Sequence, residues 1–87
     1  MTNLRTLTNI GTIVASELKA AGVPDAETLK AVGSVEAALR LRRAGFDVCR
    51  SKLSGLEGAV RGIRWNLIPE DERKKIWKEL EESSDPN

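Results

Sequence analysis

Eighty-seven residues make one domain, and a chain this short hides only about 60% of the surface that its unfolded form exposes. Apolar residues at 40% and charged residues at 31% suit a globular chain better than a disordered one. A net charge of +1 is not the strongly basic balance of a tight nucleic-acid binder, and no apolar run approaches the ~20 residues that span a bilayer.

In chain order, residues 3–8 add a short helical turn before the first full helix. That helix is expected over 12–21, where Ile10, Val14 and Leu18 recur every fourth residue with Ile13 and Ala21 beside them. It stops at Ala21-Gly22-Val23, and similar stops follow at Val32-Gly33-Ser34-Val35 and Ala44-Gly45-Phe46. Glycine takes the left-handed conformation that ends a helix, and the apolar residue beyond it packs back on the last turn. Asp25 can cap a second helix over 26–32, Ser34 a third over 35–44 and Asp47 a fourth over 48–63. In the third, Val35, Ala38, Leu39 and Leu41 face inward. The run Arg40, Arg42, Arg43 sits at its end, where cations complement the helix dipole. A phosphate-contacting patch is the other reading of that run.

The fourth helix carries most information. Cys49, Leu53, Leu56, Val60 and Ile63 form one apolar stripe, which predicts Cys49 as a buried small hydrophobe. Ser51, Ser54, Gly55, Gly58 and Gly62 make a small-residue face opposite. Each interior glycine costs up to ~1 kcal/mol against alanine, so a helix carrying several of them must gain a close approach. Either the helix is central and wedged between others, or the Gly55, Gly58, Gly62 face receives a partner; the internal reading is preferred. Glu57 and Arg61 form an (i, i+4) pair, and Arg64 has no obvious partner. Trp65 plugs the junction to the last helix, expected over 69–82, or stands exposed to stack on bases. Pro69 suits a first helical position, with Glu70, Asp71 and Glu72 complementing the dipole behind it. Ile76, Trp77 and Leu80 dock this helix on the core. No stretch alternates with the period of a strand, and residues 83–87 are expected to be a disordered tail.

The fold class read from this pattern is all-α, a compact bundle of about five short helices of the helix-hairpin-helix or SAM-like kind, with residues 1–82 as a single domain. Charge is unevenly spread. Residues 49–64 hold Arg50, Lys52, Arg61 and Arg64 against Glu57 alone, whereas 65–87 hold four basic and seven acidic side chains. The chain has no histidine, which removes the commonest general base and metal ligand together, and one cysteine cannot form an intrachain disulfide. No nucleophile motif or phosphate-binding glycine loop stands in for them. We therefore expect no enzyme activity, no cofactor, no metal and, with no secretory signal, a cytoplasmic location.

Two stretches carry a family resemblance. Leu7-Thr8-Asn9-Ile10-Gly11 followed by a helix and Ala21-Gly22-Val23 resembles a helix-hairpin-helix turn. Leu56-Glu57-Gly58-Ala59-Val60-Arg61-Gly62-Ile63-Arg64-Trp65, then Leu67 and Pro69, is more specific. With Leu29 and Ala37-Ala38-Leu39-Arg40-Leu41-Arg42, it resembles the C-terminal domain of the TfoX/Sxy family of bacterial competence regulators over about Leu7 to Leu80. The resemblance implies an all-helical domain that follows an α/β domain in full-length members. It also implies a positive regulator working with a cyclic-AMP-dependent transcription activator. This chain starts with the domain, so it is expected to be a stand-alone or excised version.

Two mechanisms follow. In a nucleic-acid hairpin, the turn Asn9, Ile10, Gly11 and Thr12 would offer backbone N–H groups to a phosphate, with Arg42, Arg43, Arg61 and Arg64 supplying charge. Asn9 replaces the first glycine of the usual turn, and the usual basic residue after the turn is missing. The alternative, which we prefer, is a protein-interaction module docking on a transcription activator or an RNA polymerase subunit, with a weak DNA contact as an addition. On that reading Leu7–Gly11 is first a structural turn.

Overall fold

The structure is a computed structural model that describes residues 1–83, and among these the regular elements are all helical. A 3-10 turn at Leu4–Thr6 opens the chain, capped by Asn3, whose side chain accepts from the Arg5 N–H. The α-helices that follow are Thr12–Ala20 (α1), Ala26–Val32 (α2), Ser34–Arg43 (α3), Arg50–Arg61 (α4) and Glu70–Ser83 (α5), with a second 3-10 turn, Trp65–Leu67, between the last two. The tail expected over 83–87 falls, beyond Ser83, outside the described residues.

The glycine stops act as read. At the end of α1, Gly22 takes φ +87°, Val23 N–H donates to Leu18 O at 2.8 Å, and Val23 is fully buried against the helix it closes. Phe46 donates likewise to Leu41 O beyond Gly45, and Ile63 to Gly58 O beyond Gly62. Gly62 at φ +77° therefore ends α4 at Arg61, short of the expected residue 63, and is a cap rather than an interior glycine. A left-handed residue costs an L side chain about 1–2 kcal/mol, so these positions favour glycine.

Two caps differ from expectation. Asp25 caps α2 as read, accepting from Thr28 N–H and from its hydroxyl. Gly33, however, serves as both the end of α2 and the cap of α3. Ser34 is thereby moved one residue into the helix, and its hydroxyl donates to the Glu57 carboxylate on α4. Cys49, not Asp47, precedes α4, and the Asp47 carbonyl accepts from Lys52 instead. Pro69 sits just before α5 and accepts from Glu72 and Arg73 N–H. The N-terminal strand of chain is latched to α2: Thr2 donates through its N–H and hydroxyl to Glu27, whose carboxyl is thereby held well below its usual range, at about 2.

The central helix is α3 rather than α4. It packs against α1, α2, α4 and α5, and its Ala37 and Ala38, both fully buried, let those neighbours come close. Leucines fill the remaining interior: Leu18 from α1, Leu29 from α2, Leu41 from α3, Leu53 and Leu56 from α4, and Leu80 from α5. Burying a leucine contributes roughly 1.5–3 kcal/mol relative to leaving it exposed. Ile13, placed beside the apolar stripe of α1 by its spacing, is instead 75% exposed.

Candidate functional site: the outer face of the fourth helix

The face of α4 that carries its small residues is built around a side chain from the other end of the sequence. Asn9 lies in the turn before α1 with φ +72°, a non-glycine residue in the left-handed region. Its amide donates to Ile63 O at 3.0 Å and to Gly55 O at 3.3 Å, and its Oδ1 accepts from Trp65 N–H at 3.4 Å. The space for it is the missing side chain of Gly58. A Cβ there would lie 2.5 Å from Asn9 Nδ2 and 2.6 Å from the Ile63 carbonyl oxygen. The helix gains from Gly58 a seat for Asn9, which answers why it tolerates the helix-propensity cost. Asn9 thus ties the start of α1 to the end of α4, whereas Ile10 is buried in the core and Gly11 and Thr12 are exposed at the start of α1.

The four candidate arginines fall in two separate places. Arg42 pairs with Glu81 at 3.1 Å, and Arg43 with Glu36 at 3.9 Å, both at the end of α3. Arg61 lies between Glu57 and Glu72, 2.6 Å from each, and these two carboxylates raise its pKa further. Arg64 precedes the second 3-10 turn and is exposed. Glu72 and Glu81 are nine residues apart on α5, roughly 13 Å along the helix axis. The two arginine pairs therefore sit toward opposite ends of α5. Neither pair converges on the Asn9 turn through a hydrogen bond or ion pair.

What remains open on α4 lies nearer its start, in two adjoining grooves that share Ser51 and Trp65. One, of about 550 Å³, runs between α1 and α4, with Ile10, Ile13 and Val14 on one wall and Gly55 on the floor. Lys52 and Glu17 close one side with an ion pair. The other, of about 430 Å³, lies between α4 and α5 and is lined by Arg50, Ser54, Glu70, Arg73 and Lys74. Trp65 is not the buried plug expected: it is 42% exposed, with the Arg73 guanidinium 5.4 Å from its ring. Cys49 is likewise exposed rather than buried, because α4 begins one residue after it and the stripe starts at Leu53. A hydrogen bond with the Ser51 hydroxyl and backbone N–H groups of α4 lower its thiol pKa.

Sequence reasoning missed Arg50, Ser54 and Arg73. Arg50 carried a signal, since no acidic residue lies three or four positions away on its helix, whereas Arg40 and Arg61 have one; Arg73 did not, because Glu70 is three residues before it. Ser54 gave none, since it read as one more small residue. No group of three or more potential ligand side chains is placed to hold a metal ion among the described residues, and no helix there is long and apolar enough to cross a membrane.

The model of the TfoX C-terminal domain family matches residues 1–80. The chain belongs to this family. Two solved structures from Listeria monocytogenes are similar to it. One, an uncharacterized protein in a triclinic crystal form, is 39% identical over 99% of this chain and all of its own, with a TM-score of 0.85. A protein of unknown function in a tetragonal form is 43% identical over 87% of this chain and 98% of its own, with a TM-score of 0.77. No curated protein matches the sequence. In this TfoX C-terminal domain, then, the hairpin-like turn is taken up by internal bonds and three of the four candidate arginines by carboxylates, and the grooves around Trp65 are left open.

Proposed function

We propose that this TfoX C-terminal domain is a non-catalytic regulatory domain of the TfoX/Sxy type, acting in the cytoplasm on competence or transcription through contact with a protein partner. A transcription activator or an RNA polymerase subunit is the class of partner that fits. The observation that carries the reading is the exposure of Ile13 and Trp65 on the walls of adjoining grooves, while the candidate phosphate contacts Arg42 and Arg61 are held by carboxylates away from them. An aromatic and an aliphatic side chain standing out around a hollow are what protein interfaces use as anchors. The turn through Asn9 into α1 supports a helix-hairpin-helix type of entry, in a structural role. A weak DNA contact through Arg64 and the exposed start of α1 can add to the protein contact without carrying it.

Two measurements test this. Biolayer interferometry of the purified domain against a purified cyclic-AMP-dependent activator and against RNA polymerase subunits should give micromolar binding that weakens with salt far less steeply than binding to a phosphate backbone does. Fluorescence anisotropy with labelled duplex DNA should show at most weak binding at low salt, little altered by Arg61→Ala/Arg64→Ala. Micromolar DNA affinity that falls steeply with salt and in the double variant would favour the rival, a sequence-nonspecific DNA-binding module.

A further inference from the structure

The cleft between α4 and α5 holds groups that the fold itself leaves unused. Ser54 is only 5% exposed and lines the cleft, and its hydroxyl makes no hydrogen bond with any described residue. Among the described residues no fully buried side-chain polar atom lacks a partner, so the Ser54 hydroxyl reaches solvent through the cleft and can bond a polar group seated there. Arg50 and Arg73 share that cleft, and among the described residues neither pairs with a carboxylate, in contrast to Arg40, Arg42, Arg43 and Arg61. Both are instead pre-positioned by aromatic rings. Arg50 lies 5.5 Å from the Trp77 ring and Arg73 lies 5.4 Å from that of Trp65. The Arg73 Nε donates to Ile68 O at 3.1 Å, which fixes the guanidinium plane and leaves its terminal nitrogens to the cleft. A planar guanidinium held this way matches a carboxylate.

Resting on the reading of this domain as a protein-interaction module, we infer that the cleft is a carboxylate-docking site for a short acidic segment of the partner. The segment places a carboxylate on Arg50, Arg73 and the Ser54 hydroxyl. It then lays an apolar side chain across Trp65 into the adjoining groove beside Ile13 and Val14. The rim favours a peptide over a nucleic acid. Glu70 lines the cleft, paired with Lys74 at 3.4 Å, and Asp71 and Glu72 follow it in the first turn of α5; these carboxylates repel a continuous polyanion far more than one carboxylate seated on two arginines. The apolar continuation suits alternating acidic and hydrophobic side chains, not a phosphate backbone.

The probe is the blocked peptide Gly-Asp-Leu-Asp-Phe-Gly, titrated to millimolar concentration against the isotope-labelled domain and followed by amide and indole NMR shifts. Shifts should centre on Ser54, Gly55 and the Trp65 indole. Affinity should fall roughly tenfold or more in Arg50→Gln/Arg73→Gln, or when asparagine replaces each aspartate of the peptide, as expected for lost hydrogen bonds to charged groups. Ser54→Ala should weaken binding a few-fold without loss of thermal stability, and Lys30→Gln on α2 should change nothing. Circular dichroism of each variant checks folding. No shifts, shifts on another face, or affinity indifferent to these variants would overturn the inference, as would displacement of the peptide from the same residues by a short duplex DNA. Failure with the peptide while the domain still binds activator or polymerase sinks the cleft and spares the regulatory reading; the peptide seated in the cleft with neither protein bound does the reverse.

Discussion

The two ends of α4 use polar groups in opposite ways. At the C-terminal end each is taken up: Gly58 seats Asn9, the Ile63 carbonyl accepts from it, and Arg61 is held by Glu57 and Glu72. Toward the N-terminal end Lys52 is held by Glu17, but among the described residues Arg50 pairs with no carboxylate and the Ser54 hydroxyl makes no hydrogen bond, and Cys49 stands exposed. One helix is thus welded at one end and open at the other. A small domain with little stability to spare tolerates unsatisfied groups where a ligand can satisfy them and welds the rest.

The sharpest way to break the welded end is Gly58→Ala. A new Cβ would meet the Ile63 carbonyl, which is backbone and cannot swing away, as well as the Asn9 amide. Overpacking of this kind costs about 3 kcal/mol at its upper end, against which alanine's better helix propensity returns at most ~1 kcal/mol. Urea unfolding should show a net loss of about 2 kcal/mol. Gly55→Ala, one turn earlier, is the control: its Cβ would lie 3.6 Å from Asn9 Cβ, an ordinary contact, so the same substitution should be neutral or stabilising by up to ~1 kcal/mol. Equal losses at both positions would mean that the glycines are not distinguished by the Asn9 seat.

Asn9 itself separates into two contributions. Asn9→Gly keeps the left-handed backbone and loses the amide bonds to Gly55 and Ile63, an expected loss of about 1 kcal/mol. Asn9→Ala loses the bonds and also strains φ, which should add roughly another 1 kcal/mol. If both variants unfold at the same urea concentration, the positive φ carries no cost at this turn.

Much of this frame was legible in the sequence, and the reasons differ by feature. Glycine stops and the Asp25 cap are local chemistry, decided within a few residues, and Gly22, Gly33, Gly45 and Asp25 act as their neighbours suggest. The seat of Asn9 is not local: its partners Gly55 and Ile63 lie 46 and 54 residues away. The small-residue face announced a close approach but not what approaches. Spacing also tells which side of a helix is apolar but not how far along it the cover extends. Ile13 lies beside its stripe at the start of α1 and Cys49 at the head of its own, just before α4, and both are exposed. Ser34 shows the finer limit. A serine after glycine reads equally well as cap or first helical residue, and Glu57 on another helix decides it.

The open end has its own small, measurable signature in Cys49. The thiol pKa is lowered chiefly by its hydrogen bond with the Ser51 hydroxyl, then by backbone N–H groups of Lys52 and Ser51, while partial burial pulls the other way. These bonds favour the thiolate and exist only when α4 is formed, so the folded pKa lies below the unfolded one. The thiolate is the nucleophile, so as pH rises the rate of alkylation by iodoacetamide should climb at lower pH in the folded domain than in urea. Ser51→Ala should move the folded profile part of the way toward the unfolded one. It removes the largest contribution and leaves the backbone donors in place, so the remaining gap between the profiles reports the first turn of α4 alone. A profile identical in buffer and in urea would place the thiol outside the reach of that turn, and the N-terminal end of α4 would then be frayed rather than open.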